Sequence, residues 1–510
     1  MEKLYNNILL ADNFRDAPSD AENVPYLKNP PEIIDVSVGR QLFVDDFLIE
    51  KTQLTPEYHK AKKFDGNPVL FPETEWEKDG QPVACPKDGG VWYDEQEKIF
   101  KMWYEAGWLR HMCYATSKDG IHWQRPNLHE VENTNLILTY DGFEQTKYWD
   151  GIKYLRPDST TVWIDYACEK SKKYKLFMRN PGWEYPSIVA TSSDGVHFEN
   201  FRLTDQKFGD RSTAFYNPFR KKWVYSMRTY AWDEQGMHRT RHYRECDDLI
   251  EGASWTDEDA KLWMTTDDKD KPNPYIGTYP QLYNVNCIGY ESVMLGFFQV
   301  HYGPENDVCK QTGTPKITEL IPMYSRDGYH FSRPNRDALI NASMYKGAWD
   351  RGYVQSVGGG VIIDGDELRI YYIGFGGDNT RPTDDAVNGM YCNGATGFVT
   401  LRRDGFVSMN GKGELTTRKL TVNGKHSLHV NVKGKIKATI LDENGKLLAE
   451  SNQFNGDSTN AELCFNDFVV STLNGKTFSI KFIVDGNFYS FGFADENGDF
   501  GGAHGAGIVK

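Results

Sequence analysis

The chain has 510 residues and a net charge of −14, and 14% of its residues are aromatic, with 29 Tyr and 13 Trp. This length exceeds one ordinary domain and supplies enough residues for a large hydrophobic core. The acidic charge and the lack of a long basic run argue against nucleic acid and anionic membranes as partners. No apolar stretch of the sequence reaches the roughly 18 residues that a membrane-spanning helix needs.

Eight cysteines are scattered along the chain without a Cys-x-x-Cys pair. This spacing predicts reduced thiols rather than a disulfide framework or a zinc site, and we expect neither a metal nor an organic cofactor. The first twenty residues are polar and acidic and lack the apolar segment of a secretory signal. We therefore expect a cytoplasmic protein that acts on a small molecule, and a homo-oligomer is compatible with this sequence.

The first predicted strands begin after a polar N-terminal segment. Residues 1–35 are interrupted by proline, and we expect them to wrap the protein surface. Residues 36–49 show the first strand pattern and are predicted to close a ring of strands by pairing with the last one. Residues 90–93, 99–105 and 111–116 then read as three successive strands. Such a meander cannot bury both of its faces alone, so it predicts further copies beside it.

A turn motif with Ser, Asp-Gly, His and an aromatic residue closes this meander and recurs along the chain. It reads SKDGIHW at 117–123, SDGVHF at 193–198 and SRDGYHF at 325–331, with weaker copies that end at Trp255 and Phe406. The aromatic ends are about 55 to 75 residues apart, the spacing expected of propeller blades with insertions. Five copies predict a five-bladed β-propeller. The predicted blades are residues 71–123, 141–198, 209–255, 279–331 and 350–406.

The character of the sequence changes after residue 411, beyond which no Trp occurs. Short alternating strands follow, and Asn444-Gly445 and Asp485-Gly486 predict hairpin turns between them. This pattern is typical of a small β-sandwich packed on the propeller edge. The predicted fold class is therefore all-β, with a propeller over residues 36–410 and a β-sandwich over 411–510.

Polar residues stand at the predicted start of each blade's first strand, where side chains point at the central axis. They are Asp88, Asp150, Asp210 with Arg211, Gln281, and Asp350 with Arg351. Carboxylates that converge on one pocket shift one another's pKa values, so that one becomes an acid and another a base. Cleavage of a glycosidic bond needs such a pair. Each Asp by itself is also a common cap of a tight turn.

Further residues are predicted to shape this pocket. Trp149 and Tyr279 would present aromatic rings to a sugar, and His301 is either a channel contact or a strand-end residue. Arg211 and Arg351, at the axis, would suit a carboxylated sugar, since a guanidinium group binds a carboxylate with two hydrogen bonds.

The stretch around Asp88 resembles the first blade of glycoside hydrolase family 32, the invertase and levanase group. The similar segments are residues 88–93 (DGGVWY), 101–104 (KMWY) and 117–123 (SKDGIHW). The resemblance implies a five-bladed propeller followed by a β-sandwich, with Asp88 in the place of the family's nucleophile. The segment GDRS is similar to the family's Arg-Asp-Pro motif, which puts Asp210 in the place of the carboxylate that binds sugar hydroxyls.

The chain also departs from the family pattern. Lys87 stands where the family has Asn, and Gly89 where it has Pro. The family's acidic Glu would fall near residues 278–280, which contain no carboxylate, and Glu245 precedes a predicted blade-closing turn. Glu291, one strand further on, is therefore the predicted acid, with an ordinary solvent-facing strand residue as the alternative.

These observations predict an exo-acting glycosidase for a small oligosaccharide with a terminal furanoside or ketoside. Asp88 would act as nucleophile or base, Glu291 as acid, and Asp210 would orient the sugar. One alternative is a hydrolase or lyase of a uronic or ulosonic sugar, whose carboxylate Arg211 and Arg351 would hold. Two others are a carbohydrate-binding propeller without catalysis and a scaffold propeller that binds protein.

Overall fold

The computed structural model describes residues 1–128, 133–138, 157–179, 186–207, 209–233, 236–381 and 388–509. The regular secondary structure of these residues is almost entirely β-strand, which confirms the all-β prediction. No helix in the described ranges is long and apolar enough to cross a membrane. Two short α-helices, α1 (Pro25–Lys28) and α2 (Asn306–Thr312), occur there together with single 3-10 turns at Trp76–Lys78, Lys170–Lys172, Glu251–Ala253, Asp257–Asp259 and Val470–Leu473.

Short strands occupy the N-terminal part of the chain. They are β1 (Glu2–Lys3), β2 (Leu9–Leu10), β3 (Ile34–Asp35), β4 (Gln41–Leu42), β5 (Ile49–Thr52), β6 (Thr55–Tyr58) and β7 (Lys62–Lys63). Strands β1 and β2 pair with each other. The others pair with strands that come much later in the sequence, as described below.

The middle of the chain forms five successive sets of antiparallel strands, each hydrogen-bonded in chain order. Set one contains β8 (Ala84–Asp94), β9 (Ile99–Ala106), β10 (His111–Ser117) and β11 (Leu136–Leu138). Set two contains β12 (Asp158–Ile164), β13 (Tyr174–Arg179), β14 (Ile188–Ser192) and β15 (Phe198–Leu203). Set three contains β16 (Gly209–Asn217), β17 (Lys222–Asp233), β18 (Gly236–Cys246) and β19 (Lys261–Met264). Set four contains β20 (Gln281–Glu291), β21 (Val293–Gly303) and β22 (Ile317–Ser325), and set five contains β23 (Gly352–Asp364), β24 (Glu367–Phe375) and β25 (Gly394–Arg402).

The first strands of the five sets, β8, β12, β16, β20 and β23, contact one another in a circle. Each contacts the first strand of the following set, and β23 contacts β8. The contact between β23 and β8 includes parallel pairing of Gly358 with Gly90 and of Gly359 with Val91. A Cβ atom at Gly358 would lie 2.3 Å from the carbonyl oxygen of Gly89, so this close approach of two backbones requires glycine.

Each first strand also has a register shift near its start. An extra residue in one strand of an antiparallel pair bends the strand and re-aims the side chains beside it. Because the five shifts occur at equivalent places, they bring corresponding residues of all sets to one end of the circle. The shifts lie between Cys85 and Gly90, Asp158 and Thr160, Gly209 and Thr213, Leu282 and Asn284, and Gly352 and Gln355.

The repeated turn motif has the same hydrogen bonds at all three strong copies. In the second copy, Asp194 Oδ1 accepts hydrogen bonds from the backbone N–H groups of Val196 and His197 at 2.8 and 2.9 Å. Its Oδ2 lies 2.6 Å from His197 Nδ1. The same contacts surround Asp119 and Asp327. The carboxylate of the motif therefore makes its hydrogen bonds to groups that are local in sequence.

Removal of this carboxylate is expected to lower stability. Asp194→Ala should reduce the free energy of unfolding by about 1–2 kcal/mol, because two backbone N–H groups lose their acceptor. Glu199→Ala, which removes an exposed carboxylate from the strand that follows, is the control and should stay within about 0.5 kcal/mol of the unsubstituted protein. Urea denaturation of the full chain measures both. Equal values for the two variants would mean that water replaces the lost acceptor at no cost.

The C-terminal strands form a second sheet, which also includes most of the N-terminal strands. Those from the C-terminal part are β26 (Val407–Thr417), β27 (Leu420–Thr421), β28 (Ser427–Asp442), β29 (Leu447–Glu450), β30 (Phe454–Glu462) and β31 (Phe478–Ala494). Strand β3 pairs with β27, β4 with β31, and β5 and β6 both pair with β26. Strand pairing therefore crosses the predicted boundary at residue 36. The N-terminal strand that pairs with the last set is β7, which lies beside β25.

The last residues return to the five sets. Strand β32 (Ala503–His504) pairs with β20, and β33 (Ile508–Val509) pairs in parallel with β23. The additional pairing occupies backbone groups that an open strand edge would leave exposed. The described residues form two separate hydrophobic clusters, one among the five sets and one within the C-terminal sheet around Leu415 and Phe478.

Candidate active site

The register shifts place one bulged residue from each set at the same end of the circle. Four of them have left-handed backbone, with φ of 60° at Asp88, 53° at Ser159, 59° at Arg211 and 51° at Tyr353. In β20 the bulged residue is Tyr283. A left-handed non-glycine residue costs on the order of 1–3 kcal/mol, and such residues gather at functional sites. This end of the circle is therefore the candidate active site.

Asp88 lies inside the circle with none of its side chain exposed. Its Oδ2 is 2.5 Å from Arg211 Nη1, and its Oδ1 accepts hydrogen bonds from the amides of Asn284 at 2.7 Å and Asn286 at 3.2 Å. Burial raises the pKa of Asp88, and the neighbouring Arg211 opposes this rise. Asp88 therefore ties sets one, three and four together through both of its carboxylate oxygens.

Asp158, the residue before the bulge in β12, is held between two cations. It accepts a hydrogen bond from Lys87 Nζ at 2.6 Å and another from Arg179 Nη1 at 2.7 Å. Burial favours its neutral form, but Lys87 and Arg179 outweigh burial and hold the pKa of Asp158 well below its ordinary value. Asp158 is therefore ionised at neutral pH.

Asp210 occupies the equivalent place in β16 and is the most accessible of these acids. One third of its side chain (33%) is exposed, and it forms an ion pair with Arg228. The hydroxyl of Tyr283 lies 3.5 Å from its Oδ2. Burial opposes ionisation, but Arg228 outweighs it and holds the pKa of Asp210 below its ordinary value. Asp210 is thus an ionised carboxylate that a ligand can reach.

Unlike Asp158 and Asp210, Glu105 near the end of β9 favours its protonated form. Its Oε1 accepts a hydrogen bond from the backbone N–H of Leu109 at 2.7 Å, and its Oε2 lies 3.8 Å from Lys87 Nζ. Burial raises the pKa of Glu105 to about 7; Lys87 opposes the rise and the negative charge of Asp158 adds to it. Glu105 therefore keeps its proton in a large fraction of molecules near neutral pH.

The turn after β9 positions both Glu105 and Lys87. Trp108 in this turn stacks on Tyr391, with ring centroids 3.9 Å apart and planes 4° from parallel. Lys87 Nζ lies 3.8 Å from the centroid of the Trp108 ring, a cation–π contact. The indole is thus held by Tyr391 and in turn holds the ammonium group that lies between Asp158 and Glu105.

Three of the predicted binding residues lie together at the edge of set four. Gln281 accepts a hydrogen bond from Arg239 and is paired with His301 across β20 and β21. His301 is stacked on Tyr283, with centroids 5.4 Å apart. Tyr279 is 39% exposed and makes an edge contact with the His238 ring. Tyr283 connects this group to Asp210, because it stacks on His301 and its hydroxyl lies near the Asp210 carboxylate.

Glu291 is not brought to Asp88. Its Oε1 accepts a hydrogen bond from Arg403 at 2.9 Å, and its Oε2 accepts one from the backbone N–H of Arg40 at 3.1 Å. It ends β20, five residues and about 17 Å of extended chain beyond Asn286, which contacts Asp88. This placement speaks against the predicted acid role, because the side chain is bound at the other end of the strand.

Asp350 and Arg351, two further predicted residues, are bound to other side chains. Asp350 accepts hydrogen bonds from Lys63 at 2.6 Å, Ser343 at 2.6 Å and Tyr372 at 2.9 Å, so its carboxylate is already occupied. Arg351 donates to the Thr314 hydroxyl at 3.4 Å, and Tyr353 takes the bulged position instead. Trp149 and Asp150 lie outside the described residues.

Sequence reasoning missed several site residues, namely Lys87, Glu105, Asp158, Arg228, Tyr283 and Tyr353. A signal for Asp158 was present, since PDST at 157–160 matches GDRS at 209–212. Glu105 and Arg228 lie on second strands, which an inspection of first strands alone does not reach. Within the described ranges, no group of three or more His, Cys, Asp or Glu side chains is arranged to hold a metal ion.

No protein-family model and no curated protein sequence matches this chain. Among solved structures, it is similar to a family 32 β-fructofuranosidase from Bombyx mori, with 11% identity over 82% of this chain and 94% of the other and a TM-score of 0.38. A family 43 arabinoxylan arabinofuranohydrolase from Bacillus subtilis gives 11% identity, 92% and 97% coverage and a TM-score of 0.31. An N-acetylgalactosamine deacetylase from F. plautii gives 12% identity, 69% and 95% coverage and a TM-score of 0.41. Likenesses at these identities and scores assign no activity to this chain.

Proposed function

We propose that this protein is a glycoside hydrolase in which Glu105 donates the proton and Asp210 is the ionised partner. The observation that carries the proposal is that a cation directly contacts Asp158 and another contacts Asp210, whereas Glu105 is buried with its nearest cation 3.8 Å away. Cations keep Asp158 and Asp210 ionised, whereas Glu105 has a pKa of about 7. Glycosidic bond cleavage needs one protonated and one ionised carboxyl group, and environments that separate two pKa values supply them.

The three carboxyl groups would divide the chemistry as follows. Glu105 would protonate the leaving oxygen as the glycosidic bond breaks. Asp210, which is exposed, would attack the anomeric carbon or accept a proton from the attacking water. Asp158 interacts electrostatically with both acids and raises the pKa of each, so it would help Glu105 to keep its proton.

The ring of strands supports exo action on a small oligosaccharide. Asp88 and Arg211 fill the inside of the circle next to the acids. Arg241 is also fully buried there and donates hydrogen bonds to the carbonyl oxygens of Arg211 at 2.6 Å and Tyr283 at 2.5 Å. Because these buried side chains close the inside of the circle, the site would admit the end of a sugar chain better than its middle. The furanoside or ketoside specificity rests on the sequence resemblance alone.

The architecture that we propose is a five-bladed propeller followed by a β-sandwich. The circular contacts among five first strands support the propeller. The separate hydrophobic cluster of the C-terminal sheet supports the second domain, which the N-terminal strands would complete.

Replacement of Glu105 tests the proposed acid. Glu105→Gln is expected to lower kcat on alkyl glycosides, which have a poor leaving group, by about 10²–10⁴-fold, because the departing oxygen receives no proton. Dinitrophenyl glycosides of the same sugars leave without a proton and should lose less than about tenfold. The kcat/KM of the unsubstituted protein should fall as pH rises above about 7, and the variant should lack this fall.

The stability of the same variant separates catalysis from folding. The pKa of Glu105 is raised from 4.5 to about 7 in the folded chain, so its contribution to stability is complete below about pH 4.5 and is lost as pH rises through 7. This loss amounts to about 3 kcal/mol of the free energy of unfolding. Glu105→Gln should lack it and should be at least as stable as the unsubstituted protein at about pH 8. If no glycoside in a broad panel is turned over, the hydrolase proposal is wrong.

A further inference from the structure

Four positively charged or imidazole side chains surround the ring of Tyr283. Lys316 Nζ lies 5.7 Å from its centroid, Arg228 Cζ 5.7 Å and Arg239 Cζ 5.8 Å, and the His301 ring is stacked on it at 5.4 Å. We call these five residues the Tyr283 cluster. They come from β17, β18, β20, β21 and the segment before β22, so two neighbouring strand sets build it.

The cluster holds more positive charge than its acids neutralise. Arg228 is paired with Asp210, which is the carboxylate next to the cluster. Arg239 donates a hydrogen bond to the side chain of Gln281, which is uncharged. Lys316 is only 6% exposed, and its Nζ has no hydrogen-bond or ion-pair partner within the part of the chain that the structure describes. The charge of Lys316 also acts on Asp210, so the three cations of the cluster share one carboxylate.

His301 adds an unused polar atom to the same place. The residue is 3% exposed, and its Nε2 has no hydrogen-bond partner among the described residues. A buried polar nitrogen without a partner costs on the order of 1–3 kcal/mol. Burial, and then the nearby charge of Lys316, holds the pKa of His301 well below its ordinary value, so the ring is neutral and carries one N–H group.

An excess of cations over carboxylates and an imidazole nitrogen without a hydrogen-bond partner in one half-buried place are suited to an anion. Taking charges out of water is costly unless an opposite charge accompanies them. An oxyanion at the Tyr283 cluster would accept hydrogen bonds from Lys316 and Arg239 and lie beside His301. It would also lie next to the exposed acid, because the Tyr283 hydroxyl is 3.5 Å from Asp210 Oδ2.

We propose that the Tyr283 cluster binds the carboxylate or sulfate group of an acidic sugar, the one whose bond Glu105 and Asp210 cleave. The inference rests on the proposed hydrolase function and names its substrate class. It also changes the residues expected to hold such a group. Arg211 is occupied by Asp88 inside the circle, and Arg351 bonds to Thr314, so Lys316 and Arg239 take this role.

The test compares matched acidic and neutral substrates. The unsubstituted protein should cleave nitrophenyl glucuronide or galacturonide with a kcat/KM at least about 100-fold above that for the matching glucoside or galactoside. Lys316→Met keeps the length of the side chain and removes its charge. It should lower kcat/KM on the acidic substrate by about 10–100-fold, mainly through KM, and change the neutral substrate by less than about twofold. Lys476→Met, on an exposed turn of the C-terminal sheet, is the control and should change neither.

Calorimetry with free sugars separates this inference from the hydrolase proposal. Glucuronate should bind more tightly than glucose, and Lys316→Met should remove the difference. If glucuronate binds in this way but no glycoside is turned over, the anion site stands and the hydrolase proposal fails. If neutral glycosides are cleaved as well as acidic ones, or if Lys316→Met weakens both equally, the anion inference is wrong.

Inorganic phosphate would present the same oxygen atoms as a free ion and forms the last arm of the test. A reaction that requires added phosphate and releases a sugar phosphate would mean that the cluster holds a co-substrate, and this result would overturn the acidic-sugar inference. Hydrolysis at an undiminished rate in phosphate-free buffer supports it.

Discussion

Asp210→Asn is expected to remove turnover while the protein stays folded. The substitution keeps the shape of the side chain and its contact with Arg228, but it takes away the negative charge that would attack carbon or activate water. We expect kcat to fall by about 10³–10⁴-fold, the upper part of the range for a catalytic acid or base. The fall should be the same for nitrophenyl and dinitrophenyl glycosides, because Asp210 does not act on the leaving group.

The stability of Asp210→Asn should change little, because one third of the side chain is already in water. We expect a shift of about 1 kcal/mol in the free energy of unfolding. Asp205→Asn makes the same chemical change at an exposed position five residues earlier and should keep full activity. Retention of more than about a tenth of the activity by Asp210→Asn would exclude it as the reacting carboxylate and would direct attention to Asp158.

Asp88→Asn is expected to lower the stability of the protein, whereas Asp210→Asn is expected to lower its turnover. The substitution leaves Arg211 fully buried without its carboxylate, and breaking a buried ion pair in this way costs about 3–5 kcal/mol. The double variant Asp88→Asn with Arg211→Met removes the unpaired charge as well and should recover part of that loss. Urea denaturation of the full-length variants, together with their soluble yield, measures both effects.

The result for Asp88→Asn distinguishes two accounts of this residue. The sequence resemblance puts Asp88 in the place of a nucleophile, whereas the structure encloses it between Arg211 and two amides. A variant that is as stable as the unsubstituted protein but inactive would show that Asp88 reacts with the substrate. A destabilised variant whose folded fraction still turns over substrate would show that Asp88 holds the strand sets together and does not react.

Much of the fold was predictable because its signals are local. The turn motif is recognisable in the sequence alone because its carboxylate, at Asp119, Asp194 and Asp327, accepts hydrogen bonds from groups within three residues. Alternating strands between the motifs then indicate an all-β chain. The same local pattern placed Asp88 and Asp210 near the starts of first strands, where the structure has them.

The assignment of roles at the site was not predictable in the same way. The raised pKa of Glu105 depends on burial beside Lys87 and Asp158, and Asp158 comes from another strand set. Strand spacing does not show which end of β20 approaches Asp88, so Glu291 could be counted as a partner although Arg40 and Arg403 hold it elsewhere.

The sequence by itself determined the strands, the turns and the positions at which acids could stand, because alternation and turn chemistry act over a few residues. Only the tertiary structure decided which acids meet, which are paired with cations and which keep a proton. A single bulged residue reverses the side to which the following side chains point, and ion pairs join residues that are far apart in the chain. The partners of Asp88, Glu105 and Lys316 follow from that packing rather than from their neighbours in sequence.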